Sequence, residues 1–429
     1  MAERAEKLLQ LLKKGTSAVM AVREAERQLT EAGFEELHFS NTWGLTEGGR
    51  YYMKHHDTTL FAFTVASELD FRDSFRIAAA HTDFPCLRIK PNPDVASNGY
   101  AQVNVEVYGG AILNTWLDRP LSISGRMAVK SEDVMHPDMR YISMEKPLMS
   151  IPNLAIHMNR DVNKGVELNR QTDMLPIVGL LEEQLNEKHA FLNFLAKEEG
   201  VKPEDILDYE LWVYCMEEPV VYGMQEEFLL SPRLDNLTSV QALLTGLIEG
   251  RGKRGINVIA LFDHEEIGSR TKQGAGSMLL LNLLEKICDS FGKTPSQTKS
   301  SLYEAFLLSV DVAHGLHPNY TGKMDITNRP VLGKGVCIKE ASVQSYATDC
   351  EAVAIVEQIC QKAGIEYQKF VNRSDMPGGG TLGSIASSIL PIRTVDIGVP
   401  LLAMHSAVET MGRKDMESMT GLIKEFFSI

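Results

Sequence analysis

The chain has 429 residues, 44% hydrophobic and 23% charged, with a formal net charge of −14. That length suggests two or three domains and that composition an ordinary globular core, while the negative charge disfavours nucleic acid and anionic membrane surfaces as partners. No apolar run reaches the length of a transmembrane helix, the charged N-terminus MAERAEKLLQLLKK lacks a secretory core, and six scattered cysteines without a CxxC pair read as reduced thiols of a cytoplasmic protein.

In chain order, residues 5 to 32 carry two helical patterns, the second with Val19, Val22, Ala25 and Leu29 at helical spacing. LFAFTVA (Leu60 to Ala66) and SFRIAAA (Ser74 to Ala80) read as adjacent strands. From Pro91 the texture changes. PNPDVASNG is a loop signal, followed by the short strands VNVEVY, LSISGRMAV and ELWVYCM, with a helix expected in GLLEEQLNEKHAFLNFLAKEEG. Residues 92–224 thus read as an inserted β-rich unit, and 1–91 with 225–429 as the domain it interrupts. Regular alternation follows. A helix (Ser239 to Leu247) leads to the strand INVIALF, and a helix (Ser277 to Cys288) to FLLSVD. Then come a helix (Asp349 to Ala363), YQKFVN, a helix (Leu382 to Ser388), IRTVDIG and a C-terminal helix. This pattern predicts an α/β fold, a mostly parallel sheet with helices on both faces.

Ligands in such sheets gather at the carboxyl ends of strands. There stand His81-Thr82-Asp83, then Asp263-His264-Glu265-Glu266, then Asp311 with His314 and His317 close behind, and His405 after TVDIGVPLLAM; Asp235 in SPRLDN precedes a helix. Singly, a strand-end Asp is a helix cap and a lone His a structural residue. Together, two imidazoles and three carboxylates suit two divalent ions of zinc, manganese or cobalt type, with one carboxylate bridging. Asp83, two residues after His81 in an extended segment, is placed to fix the ring's tautomer. Glu265 and Glu266 point in different directions, so one can bind metal while the other takes a proton from an activated water. Gly268 stands where a zincin HExxH would place its second His.

The stretches AAHTDFPCLRIKP, YGGAILNTWLDRPLSISG, IPNLAIHMNR, SPRLDNL, ALFDHEEIGS, SVDVAHGLHPNY and LLAMHSAVE resemble the aspartyl aminopeptidase family of dinuclear metallopeptidases, metallopeptidase family 18, over nearly the whole chain. The resemblance implies a zinc-peptidase-like catalytic domain in which His81, Asp235, Glu266, Asp311 and His405 hold two metals, zinc first, with Asp235 bridging and Glu265 as general base. It implies that the inserted unit makes subunit contacts in a large homo-oligomer, a dodecamer, and carries His157 into a neighbour's active site. It also implies that Lys339 and Tyr346 meet the substrate, a peptide with a free, acidic N-terminal residue. MPGGGTLGS is a departure, more glycine-rich than in some relatives, and Gly378, Gly379 and Gly380 allow close backbone approach to a ligand, with Gly379 and Gly380 expected at the substrate. From pattern alone, His157 reads as a packed or surface histidine, Lys339 as a surface strand residue, and Gly378 to Gly380 as a plain loop. Two other readings stand beside the aminopeptidase. One is a related dinuclear amidohydrolase or deacylase, separated by recognition of a free α-amine. The other is a shell-forming assembly with structural metals, disfavoured by Glu265.

Overall fold

The computed structural model describes residues 2–71, 75–181, 189–376 and 378–429. Its contacts divide into two units: Met1–Phe84, Pro219–Met404 and Glu409–Ile429 form the first, Pro85–Glu218 and His405–Val408 the second. The first unit opens with helices α1 (Ala2–Lys14) and α2 (Ala18–Glu31), then strands β1 (Glu35–Glu36), β2 (Arg50–His55), β3 (Thr59–Val65) and β4 (Phe75–His81). The second supplies β5 (Cys86–Ser97), β6 (Tyr100–Tyr108), β7 (Leu121–Val129), β8 (Asp138–Ser143), β9 (Ile177–Leu180), α3 (Ala190–Glu199) and β10 (Ile206–Cys215). The first resumes with β11 (Val220–Tyr222), β12 (Phe228–Ser231), α4 (Leu234–Glu249), β13 (Ile256–Phe262), α5 (Leu279–Ser290), α6 (Pro295–Tyr303) and β14 (Phe306–Val310). Then come β15 (Ala313–His314), β16 (Val336–Glu340), α7 (Cys350–Ala363), β17 (Tyr367–Val371), α8 (Leu382–Ile389), β18 (Arg393–Gly398), β19 (Pro400–Leu402), β20 (Glu409–Gly412) and α9 (Arg413–Phe426).

Among the described residues the first unit holds a nine-stranded mixed sheet, ordered β1-β2-β3-β13-β4-β14-β18-β16-β17. Its centre, β13, β4, β14 and β18, is parallel, while β3 runs antiparallel to β13 and β16 antiparallel to β18. The two strands LFAFTVA and SFRIAAA are therefore not neighbours: β13 lies between them, a non-local pairing that no local pattern encodes. Ser74, the first residue expected in that second strand, lies outside the described residues. β13 is buried at every position, because both faces of the sheet are covered. On one face Ile77, Ala79, Val258 and Ala260 pack with Leu283, Leu284 and Ile287 of α5 and Leu382 of α8. α4 also packs on β4 and β13; side-chain alternation gives it Ala78, Ala80, Ile259 and Leu261. A second, five-stranded sheet, β11-β12-β20-β19-β15, completes this unit. The helix α6 escaped the sequence pattern, although Thr294 and Gln297 form a full capping box.

The second unit is built on a six-stranded antiparallel sheet, β8-β7-β10-β5-β6-β9. PNPDVASNG is not a loop but most of β5 and its turn. The register shifts between Ile89 and Asp94, which accommodates Pro91 and Pro93, residues without an N–H for the ladder. The chain reverses at Asn98 and Gly99, both at positive φ. A domain boundary at 92 would cut this strand. The expected helix beginning at Gly179 is also corrected, because Gly179 and Leu180 pair with Ala101 and Tyr100. Residues 182–188 of that expected helix lie outside the described residues, and α3 occupies its end.

Candidate metal centre

Because β13, β4 and β14 are parallel neighbours, their carboxyl ends share one edge: Phe262 is in register with His81, and β14 runs out into Asp311. His81 is buried, with Nδ1 3.0 Å from the Asp83 carbonyl oxygen. In the neutral ring Nδ1 therefore donates there and leaves Nε2 as the ligand atom. Nε2 stands 3.5 Å from both Asp235 Oδ1 and Asp311 Oδ1. Burial by itself would lower the His81 pKa, but Asp235, Asp311 and Asp83 together hold it well above the ordinary value.

The role expected of the Asp83 carboxylate falls first to its backbone. The carboxylate lies 3.4 Å from Nδ1, and its two oxygens accept the backbone N–H groups of Glu265 and Glu266, each at 3.1 Å. Asp83 thus ties the end of β4 to the turn that carries both glutamates. Asp83→Asn leaves one of those N–H groups without its carboxylate acceptor. Such supporting contacts are worth about 10- to 100-fold in metal affinity, and that loss is expected in a competition titration with a chelating dye. Unchanged affinity would mean that the turn holds itself.

The turn explains the four titratable residues in a row. Asp263 accepts from the His264 N–H at 2.7 Å and from Gln273 Nε2 at 3.3 Å. The His264 Nδ1 meets Thr271 Oγ1 at 2.9 Å, and His264 sits at positive φ. These two residues shape the turn, and Glu265 and Glu266 follow in a single 3₁₀ turn that ends on Gly268.

Asp235 lies in the irregular first turn of α4. Neighbouring residues fix it: Arg233 donates to the Leu12 carbonyl at 2.6 Å, Asn236 to Val310 at 3.0 Å, and the Asp235 N–H to Glu409 Oε2 at 3.0 Å. The pairing of β12 with β20, Ser231 opposite Glu409, delivers that buried glutamate. Glu409, inside SAVET, offered no sequence signal, because its strand is short and its partner distant.

Asp311 is backed by Lys339. Lys339 is 1% exposed, donates to the Val312 carbonyl at 2.9 Å, and its Nζ is 3.5 Å from Asp311 Oδ2 and 5.2 Å from the Tyr346 ring centre. It is not the surface residue its pattern suggests: four of the five residues of VCIKE are buried, so alternation carries no information there. Burial would lower its pKa, yet Asp311 and Asp396 raise it above the ordinary value, so the ammonium stays charged. Burial would raise the Asp311 carboxyl, but Lys339 and His81 hold it well below the usual range.

Ligand atoms of His81, Asp235 and Glu266 lie within 4.8 Å of one another. Oxygen and imidazole donors without a thiolate suit zinc and similar divalent ions. The local charge asks for a cation too. Burial, then Asp311, Asp83 and Asp235, push Glu265 up to about 8, against a pull from His81. The other expected residues have surroundings of their own. His405 belongs to the second unit, its Nδ1 3.2 Å from the Gly110 carbonyl. His157 is exposed in a turn of the same unit. His314 rests edge-on against Phe370, and His317 lies tilted against Tyr320. Tyr346 is buried and its hydroxyl accepts from Asn372 at 3.3 Å. A Cβ at Gly379 would have no neighbour within 4 Å among the described residues, and one at Gly380 only the Ser345 carbonyl oxygen at 3.7 Å; Pro377 of that loop lies outside the described residues.

Residues 11–427 match the model of the aminopeptidase I zinc metalloprotease family, M18. The chain belongs to this family. It is thus a metal-dependent aminopeptidase, a hydrolase that removes N-terminal residues from peptides. A probable M18 family aminopeptidase 2 of Clostridium novyi is 44% identical, with 99% of this chain and 98% of that protein aligned. Aspartyl aminopeptidase 4 of Saccharomyces cerevisiae is 38% identical over 95% and 90%. Among solved structures, a chain of the Ape4 and Nbr1 complex superposes with a TM-score of 0.95 at 34% identity, covering 99% of this M18 chain and 85% of that one. The S. cerevisiae mApe1 dodecamer gives 0.85 at 25% identity over 100% and 97%.

Proposed function

We propose that this M18 aminopeptidase removes acidic N-terminal residues, Asp or Glu, using two divalent ions, zinc foremost. In this reading His81, Asp235, Glu266, Asp311 and His405 would hold them, with Asp235 shared. Bound there, the ions would polarise the scissile carbonyl and acidify the attacking water. The chain's own part is to move protons and to orient. Glu265, in the same turn as Glu266, would accept the water's proton on a carboxylate oxygen and return it to the leaving amine. The observation that carries the reading is the close grouping of His81, Asp235 and Glu266 beside Glu265.

Lys339 supports the acidic preference. In a chain of net charge −14, an acidic substrate needs a local cation, and a buried, charged ammonium beside Asp311 and the Tyr346 ring is one. Lysine has three donors, and Val312 and Asp311 engage two directions. The name of the yeast relative, an aspartyl aminopeptidase, agrees. A panel of aminoacyl substrates, assayed with zinc, manganese and cobalt, tests the proposal; faster turnover of N-terminal Leu than of Asp or Glu would overturn the acidic preference. With that panel, Lys339→Met is expected to cut kcat/KM for Asp and Glu about 10- to 150-fold more than for Leu, the worth of one charge-assisted contact. An equal loss on both classes would make Lys339 solely the counterion of Asp311.

The second unit is proposed as the self-association domain. His157 lies among Leu154, Ile156 and Met158, exposed by 53%, 52% and 70%, an apolar surface that association would cover. This reading brings His157 to a neighbouring copy's centre and builds a large homo-oligomer, as in the mApe1 dodecamer. Light scattering at assay concentration is expected to give a mass many times 47.7 kDa; a fully active monomer would contradict it.

A further inference from the structure

Asp396 lies in mid-strand on β18, fully buried, in a run of apolar neighbours. An acid there is costly to bury unless it is satisfied, and this carboxylate accepts from two segments. Its Oδ2 accepts the Ala347 N–H at 2.6 Å, and its Oδ1 the Thr381 hydroxyl at 2.6 Å. Its own N–H donates to Thr348 Oγ1 at 3.0 Å. Across the β16–β18 pairing it stands opposite Lys339; burial raises the Asp396 carboxyl above the ordinary carboxylate value, against an opposing pull from the Lys339 ammonium. At Gly383 a Cβ would come 2.8 Å from Asp396 Oδ1, so the first turn of α8 is packed tightly against the carboxylate. Thr381 also binds Ser345 through its backbone, N to O at 3.3 Å.

We propose that Asp396 is a positioning residue for substrate selection: it fixes the Ser345–Thr348 segment and the start of α8 against Lys339, and so sets the wall that meets the substrate's first side chain. This rests on the reading of Lys339 and Tyr346 as that wall. The carboxylate holds the backbone beside Tyr346 with one oxygen and the residue after Gly380 with the other. Its charge also offsets Lys339 while Asp311 faces the metal cluster. Substitution therefore alters which N-terminal residue is preferred, not the chemical step.

The test uses the full-length, zinc-loaded enzyme and substrates with N-terminal Asp, Glu, Leu and Ala. Asp396→Asn keeps the shape but loses the charge and one acceptor. The KM for Asp and Glu is expected to rise about 10-fold relative to Leu and Ala, the worth of one hydrogen bond to a charged group, with kcat and metal content near wild type. Thr381→Val, which removes one contact, should move the same ratios less, and Thr381→Ser should restore them. It also serves as the readout if Asp396→Asn does not fold. Ratios unchanged in these variants, or an equal loss for every substrate with a lower melting temperature, would overturn the proposal and leave Asp396 a structural residue. If wild type prefers Leu, or Lys339→Met leaves the ratios fixed, the acidic reading fails by itself. Asp396 is then judged by whether Asp396→Asn or Thr381→Val shifts any ratio in the panel.

Discussion

Replacing Glu265 with Gln is expected to lower kcat about 100- to 10,000-fold, the usual worth of general-base assistance, while metal content stays at the wild-type value. Glutamine is nearly isosteric, and Asp83 holds this position through the backbone N–H rather than the side chain, so the turn should survive. Elemental analysis showing metal lost together with activity would instead make Glu265 a ligand. The same substitution has a second consequence in metal-depleted protein. The Glu265 carboxyl titrates near 8 in the fold, against 4.5 when unperturbed, so the folded state holds its proton more tightly than the unfolded chain. Stability contributed by this group is present below 4.5 and is lost as pH rises to about 8. Chelated Glu265→Gln should therefore melt above chelated wild type on the alkaline side of that range, and the advantage should vanish in acid. Parallel melting curves at every pH would contradict the burial argument.

The edge that carries the centre was legible because three parallel strands end there in polar residues, and a strand's period makes its end visible. Ligand atoms of His81 and Glu266, which follow two of those strands, lie within 4.8 Å of each other and of Asp235. What stayed hidden depends on non-local pairing. Nothing in LFAFTVA or SFRIAAA shows that INVIALF slides between them. Glu409 reaches Asp235 only through the β12–β20 register. Lys339 and Asp396 sit in strands covered on both faces, where alternation vanishes and a buried charge looks like any polar interruption. A lone acid inside an apolar run such as RTVDIG is the signal that could have marked Asp396. The turn DHEE divides its labour by backbone geometry, with Asp263 and His264 shaping what Glu265 and Glu266 present, and residue type alone does not separate those roles.

The central claim is that this cluster of imidazole and carboxylates works only with metal, and exhaustive chelation tests it most directly. Aminopeptidase activity and metal content should be followed together as the protein is stripped and then titrated with zinc. Activity is expected to fall to background as metal is removed and to return with added zinc, reaching its plateau at two ions per chain. Full activity in protein whose metal content is verified as nil would contradict the account.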